Sequence, residues 1–225
     1  MERRRPPQTI RILAFDDNDE LDVIAPYEML DTARKILQGQ NLPAPDVRIV
    51  SVKGTTEKPD VVRGFHGLTF GTQPWTEGER PDLLIVAGGG YKQNRKGTPA
   101  IGISKQMNNP DFTAVIRTQH EEGRALASVC TGAFGLVGAG IVQGRRMTTH
   151  PVALDDLAKA GAHVLNPDWE ARVVDDGDII SCGGVTSGTD EALYLVEAFW
   201  PDKPSLIGSL RDYVDYYFRA TVALA

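Results

Sequence analysis

The chain has 225 residues, 41% of them hydrophobic and 24% charged, the size and balance of one soluble domain with a single sizeable core. A net charge of −6 argues against nucleic acid or an anionic membrane as the main partner, since both need a basic face. No stretch approaches the roughly 18 uncharged apolar residues of a membrane span.

Residues 1–8 open with Arg3, Arg4 and Arg5 but no apolar segment comes after them, so a disordered tail is predicted rather than a secretory signal. Two cysteines, Cys130 and Cys182, form no disulfide framework; a reducing compartment, the cytoplasm, is expected.

Residues 10–15 predict a buried opening strand, followed by the acidic loop 16–20. Apolar residues at helical spacing predict a helix over 21–37, with Pro26 as a kink or as the start of its regular part. A second strand is expected at 47–52, and short extended pieces at 61–62 and 68–70. The apolar run 83–87 reads as a central parallel strand covered on both faces, and it enters Gly88-Gly89-Gly90 directly. Residues 91–109 read as a long basic loop with a short helix, and 112–122 as a helix.

Residues 124–129 predict the next strand, and 131–141 a helix of small residues. Strands are then expected at 147–148, 163–165, 171–174 and 179–182, and helices at 152–160, 190–199 and 206–218. Strands alternate with helices throughout and no composition break divides the chain. The prediction is one α/β domain over 9–225, a three-layer α/β/α sandwich with a mostly parallel sheet.

The informative segment is Ser128-Val129-Cys130-Thr131-Gly132. A buried strand ends at a cysteine and a helix begins at once, with small residues two positions to either side. This is the pattern of a nucleophile elbow, carried by a thiol. A thiol at a helix N-terminus faces the positive end of the dipole, which can lower its pKa from about 8.5 to roughly 3.5–7.5. The Thr131 amide would face charge developing on a substrate. Cys182, inside a strand, reads as a buried structural residue.

Gly88 and Gly89, at the carboxyl end of a central strand, allow a ligand close to the backbone and offer amides to the same oxyanion pocket, or else form a plain turn. Asp22 sits where the first and central strands meet at a crevice. It reads either as an acid that relays protons to the thiol or as an ordinary first-turn helix acid. The acidic loop 16–20 lacks the glycine and closing glutamate of an EF-hand. Of the four histidines, His150 is the candidate neighbour of the thiol, because it lies at a strand end shortly after the elbow; His66, His120 and His163 read as surface or core residues.

With these residues in hand, the chain resembles the ThiJ/PfpI superfamily. The segments that carry the likeness are 127–133, 144–150 (Gly-Arg-Arg-Met-Thr-Thr-His), 183–193 (Gly-Gly-Val-Thr-Ser-Gly-Thr-Asp-Glu-Ala-Leu) and 21–28, and it runs from about residue 9 to 200. The resemblance implies a flavodoxin-like, class I glutamine amidotransferase-like fold and a homodimer. It also implies Cys130 as nucleophile, Asp22 as its acid, Gly88, Gly89 and Thr131 as backbone donors, a small-molecule substrate, and neither metal nor organic cofactor. Ser-Val-Cys-Thr-Gly is similar to the isonitrile hydratase branch, in which the thiolate adds to the terminal carbon and water releases an N-substituted formamide. Thr148-Thr149-His150-Pro151 is nearer the deglycase and glyoxalase-like branch. A third reading is a redox sensor, oxidised at Cys130 with Cys182 spared.

Overall fold

In a computed structural model that describes residues 4–92, 98–165, 171–217 and 221–224, the alternation of strands and helices resolves into a sheet covered on both faces. The strands in chain order are β1 (Thr9–Leu13), β2 (Asp46–Ser51), β3 (Val61–Arg63), β4 (Thr69–Gly71), β5 (Gln73–Pro74), β6 (Leu83–Val86), β7 (Ala125–Ser128), β8 (Arg146–Met147), β9 (His163–Val164), β10 (Val173–Asp175), β11 (Ile179–Cys182) and β12 (Val222–Leu224). The helices are α1 (Glu20–Gly39), α2 (Gly102–Gln106), α3 (Pro110–Glu121), α4 (Ala133–Ala139), α5 (Leu154–Lys159), α6 (Ser187–Phe199) and α7 (Pro204–Val214).

Eight strands form the main sheet in the order β12-β10-β11-β7-β6-β1-β2-β5. Every neighbouring pair in it is parallel except β10 with β11. Residues of β1, β6 and β7 alternate between two cores. Ile10, Ile12, Ile85 and Ala127 pack with α1, α6 and α7, whereas Leu13, Leu84, Val86 and Leu126 pack with α3, α4 and α5. Period-2 side chains buried on both faces produce the continuous apolar strands seen in the sequence. Among the described residues no helix is long and apolar enough to cross a membrane.

Helix α1 begins at Glu20, not at Pro26. Asp19 caps it, its carboxylate accepting the Leu21 amide at 3.1 Å, and Pro26 is accommodated inside the helix. Part of the expected disordered tail, residues 1–3, lies outside the described residues. The remainder is anchored: Arg4 pairs with Asp175 at 2.6 Å through two parallel bonds, and Pro7 is buried. Within the predicted loop 91–109, α2 is the short helix, and residues 93–97 lie outside the described set.

Candidate functional site

The carboxyl ends of β1, β6, β7 and β11 meet at one edge of the sheet, and between β1 and β6 the connections change direction, so a crevice opens there. Each strand delivers one piece of the site: Asp22 after β1, Gly88 after β6, Cys130 after β7 and the segment 183–185 after β11.

The elbow has the strain its sequence predicts. Cys130 has φ +56, a left-handed conformation that side chains disfavour. Its amide donates to the Gly183 carbonyl at 3.0 Å, and the Thr149 hydroxyl donates to its carbonyl at 2.7 Å. Gly132 is required two residues on, because a Cβ there would lie 2.1 Å from the Val86 carbonyl oxygen. A single tight turn over Cys130–Gly132 leads into the seven-residue α4, which is shorter than the helix expected over 131–141.

Asp22 is fully buried under the elbow. Its Oδ2 accepts the Gly88 amide at 3.1 Å, its Oδ1 has no hydrogen-bond partner among the described residues, and the carboxyl is near enough to the Cys130 thiol for its charge to act on it. Burial, then the nearby charge of Asp19, holds the Asp22 carboxyl well above its usual range. The Cys130 thiol is likewise pushed up, first by burial and then by Asp22, against the pull of the Val185 and Thr131 amides. The expectation of a thiol acidified by a helix terminus is therefore corrected. The helix after the elbow is short, the cysteine is 4% exposed, and a carboxyl lies beside it, so loss of solvation outweighs two amide bonds. The acid opposes charge on the thiol, whereas the thiol eases charge on the acid, though less than burial opposes it.

The backbone donors also differ from expectation. The Gly88 amide is spent on Asp22, and the Gly89 amide on the Thr131 hydroxyl at 2.9 Å. The amides that reach the sulfur are those of Thr131 and Val185. Val185, with φ +22, was not foreseen as a donor; its only signal was the Gly183-Gly184 pair before it, which permits a sharp turn at the end of β11.

Cys130 opens into a cavity of about 250 Å³ whose walls include Asp19, Phe65, His66, Tyr91, His150 and Val185. His150 thus lies in the thiol's pocket. Its Nδ1 accepts the Val152 amide at 3.2 Å, and burial lowers its pKa. Sequence reasoning missed His66 and Phe65. They reach the pocket because Glu20 accepts the His66 and Leu68 amides at 2.8 and 3.3 Å, folding that loop over the crevice. The acids of the 16–20 loop serve backbone: Asp16 accepts the Glu57 and Arg63 amides, and Asp19 caps α1. Among the described residues no cluster of His, Cys, Asp and Glu is arranged for a metal ion.

An acid and two amides around a strained, pocket-lining sulfur can deliver a nucleophile to a small electrophile and shuttle protons to it. Comparison with known proteins gives that arrangement its context. The chain is 31% identical over 191 residues to an isonitrile hydratase of Pseudomonas putida, covering 84% of this chain and 70% of the relative. It is 35% identical over 177 residues to a deglycase of Pyrococcus horikoshii, covering 76% and 87%. In structure it resembles Drosophila melanogaster DJ-1beta, with TM-score 0.73, 15% identity and coverage of 94% and 99%. A ThiJ/PfpI family protein of Pseudomonas syringae gives TM-score 0.73 at 22% identity, covering 94% and 76%. Residues 8–198 match the model of the DJ-1/PfpI family, and the chain belongs to that family.

Proposed function

We propose that the protein hydrates a small substrate by covalent catalysis at Cys130, in the manner of an isonitrile hydratase. The observation that carries this reading is the Cys130–Asp22 contact at the foot of a small pocket. In this reading Cys130, which lines the pocket, is the nucleophile and the buried Asp22 behind it is the acid.

An isonitrile needs both at the same carbon. Cys130 sulfur forms a bond to the terminal carbon while the Asp22 carboxyl gives that carbon its proton and takes the one on sulfur. The product is a thioimidate, with the acid regenerated. Water then adds to the same carbon, the C–S bond breaks, and the thiol and an N-substituted formamide leave. The amides of Thr131 and Val185 hold the sulfur as its charge changes. Support from similarity is the Pseudomonas putida relative.

A specific observation favours a second reading. His150, neutral and half-buried, lines the pocket of the thiol, and the Pyrococcus horikoshii relative is described as a deglycase. The same sulfur would then add to a carbonyl carbon. Incubation with a panel of alkyl and aryl isonitriles, followed by NMR, separates the two. Formamide from the wild type and none from Cys130→Ala supports hydration. Lactate from methylglyoxal with no turnover of any isonitrile replaces it with the second reading. A homodimer in the cytoplasm is part of the proposal; sedimentation at micromolar concentration tests the assembly.

A further inference from the structure

Directly beside the elbow lies a second thiol with a carboxyl of its own. Strand β11 runs parallel to β7 with Ser181 opposite Ser128, so Cys182 sits diagonally across from Cys130. A disulfide bridges Cα atoms roughly 4.4–6.8 Å apart, the range of residues that neighbour one another across adjacent strands. Both cysteines belong to the core on the α1 and α6 face, and the Cys130 amide donates at 3.0 Å to the carbonyl of Gly183, the residue after Cys182.

Glu191, on α6, lies close enough to Cys182 for its charge to oppose ionisation of that thiol. It has no solvent exposure, and neither carboxyl oxygen has a hydrogen-bond partner among the described residues. A core position needs no acid, and a leucine would fill it at lower cost. The acid lies near a thiol, and the thiol adjoins the nucleophile.

We propose that Cys182 is a resolving thiol, which closes an internal disulfide with Cys130 once a hydroperoxide has oxidised Cys130, and that Glu191 positions it. In the first step Cys130 sulfur bonds the terminal peroxide oxygen. The O–O bond breaks, an alcohol or water leaves with the thiol proton, and a sulfenic acid remains. In the second step Cys182 sulfur bonds Cys130 sulfur. The S–O bond breaks and the hydroxyl departs as water with the Cys182 proton. The two sulfurs have supplied the peroxide's two electrons. Glu191, carrying its own proton, can accept the thiol proton on one oxygen while releasing the other, so no net charge is left in the core. The disulfide closes the site reversibly and keeps Cys130 from irreversible oxidation. This departs from the expectation of a sensor in which Cys182 is spared, and it does not depend on which substrate the reduced thiol takes.

The full chain is treated with hydrogen peroxide, alkylated in denaturant and mapped by mass spectrometry. The expected product lacks two hydrogens, links the peptides of Cys130 and Cys182, and reverts with dithiothreitol. Cys182→Ser should instead carry two added oxygens at Cys130. Glu191→Gln should cut disulfide yield about tenfold without slowing the first oxidation of Cys130, a split that a merely structural role would not give. Wild-type protein that gains two oxygens at Cys130 while Cys182 remains alkylatable overturns the proposal. That result needs no variant to fold, and it leaves the hydration reading standing, because turnover uses the reduced sulfur.

Discussion

At Cys130 the backbone is strained, the sulfur is nearly buried, and its neighbour is an acid rather than a base with a positive charge. These facts set what single substitutions do. Asp22→Asn keeps the shape and the Gly88 contact but cannot exchange a proton. Its kcat/KM is expected to fall by about 100-fold or more, read in the formamide assay. The buried acids also leave a mark on stability. Asp22 and Glu191 have ordinary values of 3.8 and 4.5 and are raised well above them in the fold. The folded chain therefore holds protons that the unfolded chain releases, and stability present in acid is lost as pH rises from about 4. Glu191→Gln removes one such group, so urea midpoints should fall less steeply with pH than in the wild type. An unchanged slope would place an ionised carboxylate at 191.

At the scale of elements, the elbow is a contact between two backbones. Gly132→Ala would drive a Cβ to 2.1 Å from the Val86 carbonyl oxygen. The expected cost is about 3 kcal/mol, measured by denaturant unfolding. Long periodic elements were legible in the sequence: α1, α3, α6, β1, β2 and β6 lie within a few residues of their predicted ranges, because their apolar spacing is dictated by a face that must be buried. The two-residue strands β5, β8 and β9 and the edge strand β12 carry too few residues for a period to show, and β5 and β12 were missed. The site was half legible. Cys130 could be found from the elbow pattern, whereas the strand ends left Asp22 open between a catalytic and a helix-capping acid and only the family resemblance singled it out. The direction in which the Gly88 and Gly89 amides point is a tertiary fact, and so is the burial that reverses the thiol's predicted acidity. Glu191 was hidden by its position beside Asp190 on a helix, where adjacent acids usually mean a solvated face.

For the whole molecule, the sheet places its chemistry at one edge and its fastening elsewhere. The N-terminal segment crosses to β10, where Arg4 pairs with Asp175, and Tyr194 and the Gly177 amide bond the same carboxylate. Burial opposes the charge of Asp175, but Arg4 and these donors together hold its carboxyl below the usual range. Its contribution is therefore present above an unfolded value of 3.8 and is lost as pH falls through the folded one. Arg4→Ala is expected to destabilise by about 2 kcal/mol near neutral pH, with the deficit narrowing in acid, because it strands a buried carboxylate. Activity should be unchanged, since Arg4 bonds β10 and not the pocket.

The proposed catalysis requires that sulfur and acid share their protons, and the rate of Cys130 alkylation by iodoacetamide against pH tests this most directly. The wild-type thiol should titrate above the ordinary range of a free thiol, and Asp22→Asn should bring it back down toward that range. A wild-type thiol that titrates near neutrality, or one that Asp22→Asn leaves unmoved, would contradict it.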